Sequence, residues 1–152
     1  MNYVSSIREK IGHDLLILTG ANVIILDDNN RVLLQKRKSG SWGLLGGLLE
    51  IGETLEDTAI REVYEESNLK ISDLHLVNVF SGPKYHFKLD NSDEIYVITS
   101  VYYTREFKGE LIADNNESLE LKFFKMHELP DLEEEYRDYI NYFISSNFVY
   151  SN

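Results

Sequence analysis

The chain of 152 residues contains no cysteine, so it can form neither a disulfide bond nor a thiolate metal site. This absence fits a reducing compartment, and we expect a cytoplasmic protein. No apolar run approaches the roughly 18 residues that a membrane-spanning helix needs. The polar segment 1–10 also does not resemble a secretory signal, so we expect no contact with a membrane.

Basic residues are scarce, because 15 lysines and arginines face 26 aspartates and glutamates, giving a formal net charge of −11. A surface of this charge repels phosphate backbones and anionic lipid, which makes a broad nucleic-acid interface improbable. An acidic enzyme could still act on an anionic phosphate if metal ions lay between its carboxylates and the substrate. The length and the 43% apolar content are typical of a single globular domain, here residues 1–152.

Hydrophobic periodicity and turn signals predict a mixed α/β fold. Predicted helices cover residues 2–11 and 54–68, and a third starts at Pro130 with acidic residues in its first turn. The predicted strands are 15–26, 32–36, 74–80, 85–89, 95–103 and 119–124. Residues 27–30 form a predicted turn that pairs the first two strands as a hairpin, and the glycine-rich segment 39–52 is predicted to be loop with a short extended piece.

The central predicted helix has signals at both ends. Thr54 is a plausible N-cap, and Asp57 three residues later resembles the acidic half of a capping box. Asn68 tolerates the left-handed conformation in which helices commonly end. Four-residue spacing predicts one buried stripe, made of Leu55, Ala59 and Val63.

Three glutamates of this helix, Glu62, Glu65 and Glu66, should share one face because they are three and four residues apart. Like charges at this spacing cost an isolated helix roughly 0.2–0.5 kcal/mol per pair, so stability alone gives no reason to place them together. A divalent cation such as Mg²⁺ or Mn²⁺ does, because it prefers oxygen ligands. The alternative is an ordinary solvated face of charged residues.

The wider spacing favours the metal site. Five residues separate Gly47 from Glu53, and seven separate Glu53 from Arg61-Glu62. An aliphatic residue, any residue and then Glu65-Glu66 follow, and after one further residue come Asn68 and the aliphatic Leu69. This pattern resembles the signature of the Nudix hydrolases and matches eight of its nine specified positions. Asn68 stands where the family has glycine, and Leu45 stands where proline is common; neither change removes a charged position.

The resemblance implies a Nudix-type α/β/α sandwich with a mixed β-sheet. It also implies hydrolysis of a diphosphate bond, in a nucleoside diphosphate linked to another group or in a nucleoside triphosphate, with Mg²⁺ or Mn²⁺ as cofactor. The expected partner is a small nucleotide-type substrate; homodimers are common in the family, and a dimer is possible here.

The resemblance also assigns roles to individual residues. Expected metal ligands are the carboxylates of Glu62, Glu65 and Glu66 and the carbonyl of Gly46. Glu62 and Glu53 are expected catalytic residues: Glu62 as a metal ligand or the proton acceptor, and Glu53 as a metal ligand or a support for the other ligands. Arg61 and Gly47 are expected to orient the site.

A further catalytic acid is expected late in the chain, at Glu117, with Glu120 as a weaker candidate in contact with the substrate. Other candidate substrate contacts are Arg37, beside Lys36, and the aromatic Tyr85, with Phe80 and Tyr3 as alternatives, because bases stack on aromatic faces. The four histidines, at positions 13, 75, 86 and 127, have no metal-ligand spacing.

Two other functions stay open at this point. The chain could be a silent Nudix-like module that binds a nucleotide, although such modules typically lose glutamates that this chain retains. It could also be a hydrolase of RNA 5′ ends, although the net charge of −11 argues against extensive contact with RNA.

Overall fold

Two long helices cover opposite sides of a β-structure whose central strand is apolar on both faces. The computed structural model describes residues 2–116 and 118–146. The helices in these ranges are α1 (Tyr3–Ile11), α2 (Leu55–Ser67) and α3 (Glu134–Ser145), with a 3-10 turn at Pro83–Tyr85. The strands are β1 (Leu16–Ile25), β2 (Arg31–Arg37), β3 (Trp42–Gly43), β4 (Leu45–Leu48), β5 (Lys70–Ser72), β6 (His75–Phe80), β7 (His86–Lys88), β8 (Glu94–Thr104), β9 (Glu106–Lys108) and β10 (Ser118–Lys125).

The strands form a mixed sheet and a second antiparallel sheet. In the mixed sheet the order is β4-β1-β8-β6, with β7 paired to β8, and only the β1–β8 pair is parallel. The second sheet has the order β10-β2-β3, and β5 and β9 form a separate two-stranded ribbon. Within the part of the chain that the structure describes, no helix has the length and apolar character needed to cross a membrane.

Strand β1 supplies side chains to two separate cores, because successive side chains of a strand point to opposite faces. Val23 and Ile25 belong to the core beneath α2, which also contains Ala59 and Val63 of that helix. Ile24 and Leu26 belong to the core beneath α3, with Tyr136, Ile140 and Phe143. This α/β/α arrangement confirms the predicted fold class, and Ala59 and Val63 of the predicted stripe of α2 are buried.

The ends of α2 agree with the prediction. Thr54 accepts a hydrogen bond from the amide of Asp57, and the Asp57 carboxylate accepts one from the amide of Thr54, completing a capping box. Asn68 ends the helix with φ 68° and donates its amide proton to the carbonyl of Tyr64. Asparagine therefore takes the left-handed position without loss of the cap.

The predicted hairpin of the first two strands is wrong. The turn after β1 forms, with Asn30 at φ 59°, but β1 and β2 then enter different sheets and share only the bridge between Leu26 and Val32. Both edges of β1 are already taken, by β4 on one side and β8 on the other. An apolar strand buried on both faces is typical of such a central position.

Two other boundaries differ from the prediction. Helix α3 begins at Glu134 with Glu133 as its N-cap, because the segment that contains Pro130 stays extended and Leu132 bridges to Trp42. The predicted strand 85–89 is reduced to β7, since its first residue, Tyr85, closes the 3-10 turn. The short strands β5 and β9 were not predicted, because three residues give too little periodicity to detect.

Candidate active site

A cavity of about 620 Å³ lies along the acidic face of α2. It is lined by α2 residues Arg61, Glu62, Glu65 and Glu66, by Glu50 from the preceding loop, by Asp114 and Asn116 from a later loop, and by Asn2 at the start of α1. The structure thus brings the three predicted α2 metal ligands to one cavity. It adds four residues that were not predicted as site residues, at positions 2, 50, 114 and 116.

Glu66 is the deepest of these acids and is 3% exposed. Its Oε1 accepts a hydrogen bond of 2.9 Å from the amide of Gly46, and its Oε2 accepts one of 3.2 Å from Nε2 of Gln35. Burial raises the pKa of Glu66 to about 8, and repulsion from Glu62 adds to the rise. A cation beside this carboxylate would offset both effects.

Arg61 organises the other carboxylates. Its Nε and one terminal nitrogen donate to the two oxygens of Glu53 at 2.6 and 3.0 Å. The other terminal nitrogen donates to Glu62 at 2.8 Å and reaches Glu65 at 3.5 Å. The pKa of Glu53 is lowered to about 2, and hydrogen bonds from Arg61 make the largest contribution to this shift. The predicted orienting role of Arg61 is consistent with these contacts.

Glu53 is held mainly by protein groups. In addition to Arg61, its Oε1 accepts hydrogen bonds of 2.9 Å from the amide of Glu50 and from the hydroxyl of Thr58. Such a fully engaged carboxylate is suited to fixing the loop before α2 and the position of Arg61. Glu53 therefore contacts the candidate site through Arg61, whereas Glu62 lines the cavity itself.

Two glycines let the backbone approach the acids closely. A Cβ on Gly47 would lie 2.3 Å from Cδ of Glu62, so a larger residue would displace that carboxylate. Gly46 has φ 151°, and a Cβ there would lie 2.0 Å from the carbonyl oxygen of Ala21. The spacing of Gly47 from the glutamates therefore has a steric cause that the tertiary structure makes visible.

The donors of the cavity fit a hard divalent cation, because carboxylate and carbonyl oxygens are the ligands that Mg²⁺ and Mn²⁺ prefer. Among the described residues, no three acidic or histidine side chains stand close enough together to hold a metal ion as they are. Arg61 occupies Glu62 and Glu65, and Gly46 and Gln35 occupy Glu66. Metal binding would therefore require carboxylates to turn from Arg61 toward the cation.

Other predicted residues lie elsewhere or outside the description. Glu117 lies outside the described residues. Glu120 is exposed on β10 opposite Lys36, and the structure does not bring it to the cavity. Tyr85 is buried in the core beneath α3, where its hydroxyl donates to Asp138 at 3.2 Å. The four histidines are exposed, and each lies beside an acidic side chain.

Arg37 ends β2 on the side of α3. A terminal nitrogen of Arg37 donates to the hydroxyl of Tyr136 at 2.6 Å, and its guanidinium lies 5.3 Å from the centre of that ring. Its Nε lies 3.9 Å from a carboxylate oxygen of Glu133, and Arg37 is not among the residues that line the cavity. Its contact to a phosphate stays a prediction.

The comparisons with known proteins agree on one family. A family model described as the NUDIX domain matches residues 17–143. The chain is 35% identical over 112 residues to the ADP-ribose pyrophosphatase of Methanocaldococcus jannaschii, covering 71% of this chain and 62% of that protein. It is 30% identical over 110 residues to the NAD-capped RNA hydrolase NudC of Enterobacter sp. strain 638, covering 71% of this chain and 39% of that protein.

A solved structure gives the same result for the fold. The MutT NUDIX hydrolase from Burkholderia pseudomallei superimposes with a TM-score of 0.72 and 27% sequence identity, covering 83% of this chain and 97% of that one.

Helix α1 and its N-cap Asn2 precede the residues that the family model matches. Asn2 nevertheless lines the cavity, and the amide of Tyr3 donates to Glu50 at 3.1 Å.

Proposed function

The chain belongs to the Nudix hydrolase family, and from this premise we propose that it is a divalent-metal-dependent hydrolase of diphosphate bonds. The expected substrate is a nucleoside diphosphate linked to another group, such as ADP-ribose or a nucleotide sugar, or a nucleoside triphosphate. The observation that carries the proposal is the single cavity wall formed by Glu62, Glu65 and Glu66.

Cations bound to the acidic wall would allow a protein of net charge −11 to act on an anionic substrate. We assign Glu62, Glu65, Glu66 and the Gly46 carbonyl as the groups that would hold Mg²⁺ or Mn²⁺. When bound, such ions neutralise charge on the phosphate oxygens and lower the pKa of the attacking water. Without a cation, the same wall would repel the substrate.

The chain itself supplies proton acceptance and orientation. Glu62 lines the cavity and accepts a hydrogen bond from Arg61 at 2.8 Å, and once its carboxylate turns from that guanidinium it can accept a proton from water. Asp114 faces the same cavity from the later loop and is a second candidate for this role, beside the predicted Glu117. Arg37, which donates to the hydroxyl of Tyr136, is our proposed contact to a phosphate.

Named relatives support the substrate class. One relative is an ADP-ribose pyrophosphatase by name, and it is 35% identical to this chain. The match covers 62% of that protein, and we propose ADP-ribose as one candidate substrate of this chain. The complete set of glutamates of the family signature favours turnover over mere binding.

The test is a substrate panel with Mg²⁺ or Mn²⁺. It should include ADP-ribose, NADH, dinucleoside polyphosphates, and ordinary and oxidised nucleoside triphosphates, with release of a phosphate-containing product as the measurement. Glu65→Gln and Glu66→Gln should each lower kcat at least about 100-fold, and Glu134→Gln, at an exposed site on α3, should leave kcat unchanged. No product from any substrate would refute the proposal.

The alternatives have their own signatures. A silent binding module would bind one of these nucleotides with Mg²⁺ and release no product. An RNA 5′-end hydrolase, suggested by the 30% identity to a NAD-capped RNA hydrolase, would show a steep salt dependence on RNA that is absent for mononucleotides.

A further inference from the structure

A loop between β9 and β10, residues 109–116, forms one wall of the cavity without regular secondary structure. It places Asp114 and Asn116 opposite the acidic face of α2. One oxygen of Asp114 accepts hydrogen bonds from the amides of Asn116 and Ser118 at 3.1 and 3.2 Å. A loop of this kind keeps one conformation only if specific contacts offset its conformational entropy.

The first part of the loop is attached to the C-terminal end of α2. The side-chain amide of Asn68 donates to the carbonyl of Glu110 at 2.9 Å, and the amide of Ile112 donates to the carbonyl of Ser67 at 2.9 Å. A glycine would serve equally well at the left-handed position of Asn68, φ 68°. The asparagine thus supplies a contact that the glycine of the family signature cannot make.

The end of the loop is attached to the metal-binding face through two buried residues. The hydroxyl of Ser118, fully buried at the start of β10, donates to Oε1 of Gln35. Gln35, 1% exposed, donates through Nε2 to Glu66 and to the carbonyl of Leu44, both at 3.2 Å. An uninterrupted path of hydrogen bonds therefore joins Asp114, Ser118, Gln35 and Glu66.

We propose that Asn68 and Gln35 are positioning residues of the active site, which hold loop 109–116 so that Asp114 faces the carboxylates of α2. The proposal rests on the proposed function for its catalytic consequence. Asn68 fixes the loop to the helix that carries the glutamates, and Gln35 sets the distance between the loop and Glu66. Neither residue needs to contact the substrate.

The principal test is Asn68→Gly, which keeps the left-handed cap and removes only the bond to Glu110. The matched control is Asn30→Gly, at another asparagine with positive φ (59°), in the turn between β1 and β2. Amide hydrogen exchange is measured by NMR on the metal-free proteins. The Ile112 amide should exchange about tenfold faster in Asn68→Gly, as expected for the loss of one hydrogen bond, and within twofold of wild type in the control.

Kinetics on the best substrate of the panel provide the second readout. We expect kcat/KM of Asn68→Gly to fall about tenfold while its melting temperature stays within about 3 °C of wild type. A purely structural role would instead lower the melting temperature and leave kcat/KM of the folded enzyme unchanged.

Gln35→Met tests the other attachment, and Ser118→Ala serves as a second variant if Gln35→Met does not fold. Each should speed exchange of the residue 118 amide about tenfold, and Gln35→Met should also weaken Mn²⁺ binding severalfold, because Glu66 loses a partner. Unchanged exchange in Asn68→Gly and Ser118→Ala would overturn the inference. A wild-type protein without turnover would overturn the proposed function, while the exchange rates would still decide whether these residues hold the loop.

Discussion

Replacing Arg61 with alanine should destabilise the metal-free protein substantially, because this guanidinium is the common partner of three carboxylates. It donates to both oxygens of Glu53, to Glu62, and to the carbonyl of Leu48 at 3.0 Å. The side chains of Arg61 and Glu53 are 28% and 19% exposed, so water screens this pair less than an ordinary surface ion pair. Its removal also leaves Glu62 and Glu65 to repel one another at pH 7.

The pKa of Glu53 gives the magnitude. This pKa falls from 4.5 to about 2, and at 1.36 kcal/mol per unit of pKa the shift corresponds to about 3 kcal/mol of stability at pH 7. Because the Glu50 amide and the Thr58 hydroxyl also lower this pKa, we assign about 2–3 kcal/mol to Arg61.

The sign of the pH dependence follows from the lowered pKa. A carboxylate whose folded-state pKa is depressed stabilises the fold above its unfolded pKa, and this contribution is lost as the pH falls through the folded value. With pKa values of 4.5 and about 2, the contribution of Glu53 decreases to about 1 kcal/mol at pH 3. The effect of Arg61→Ala should therefore shrink to about 1 kcal/mol at pH 3.

The measurement is urea unfolding in EDTA at pH 7 and pH 3, followed by the fluorescence of Trp42, the only tryptophan in the chain. Arg137→Ala is the control, because this arginine is 54% exposed and its nearest carboxylate oxygen lies 3.6 Å away, so a loss below about 1 kcal/mol is expected. A loss below about 1 kcal/mol for Arg61→Ala at pH 7, or an equal loss at both pH values, would refute the reasoning.

Three further predictions concern single groups. Gly47→Ala should displace the flexible Glu62 carboxylate, lowering kcat at least about tenfold while stability in urea changes by less than about 1 kcal/mol; unchanged kcat would contradict the close packing seen here. For Glu66, the folded pKa of about 8 exceeds 4.5, so metal-free stability should decrease by several kcal/mol as pH rises from 4 to 9. The decrease should be much smaller in Glu66→Gln, where burial of Glu135 still contributes, and smaller in wild type with Mg²⁺, as followed by urea unfolding. Tyr85→Phe should cost about 1 kcal/mol through the lost bond to Asp138 and leave KM unchanged; a raised KM would restore Tyr85 as a substrate contact.

Much of the candidate site could be predicted because its signals are local. The capping box of Thr54 and Asp57 and the left-handed Asn68 act within a few residues of the ends of α2. The helical repeat alone puts Glu62, Glu65 and Glu66 on one face, and the structure places all three at one cavity. The assignment of these acids as metal ligands stays a prediction.

Other features depend on contacts between distant parts of the chain. Ser118 and Gln35 are 83 positions apart, and Gln35 and Glu66 are 31 apart, so no periodicity connects them. Asp114 and Asn2 reach the cavity from a loop and from the start of α1, and neither carries a signal of that position in its own segment. Tyr85 looked like an available aromatic residue, but its ring packs beneath α3.

The sequence by itself determined the family, the acidic face of α2 and both ends of that helix, because capping and helical periodicity are interactions between near neighbours. Only the tertiary structure decided which strands pair with β1, which loop faces the glutamates, and which buried amide supports Glu66. Those outcomes depend on which edges and faces are already occupied when the sheets and helices pack, and no short stretch of sequence contains that information.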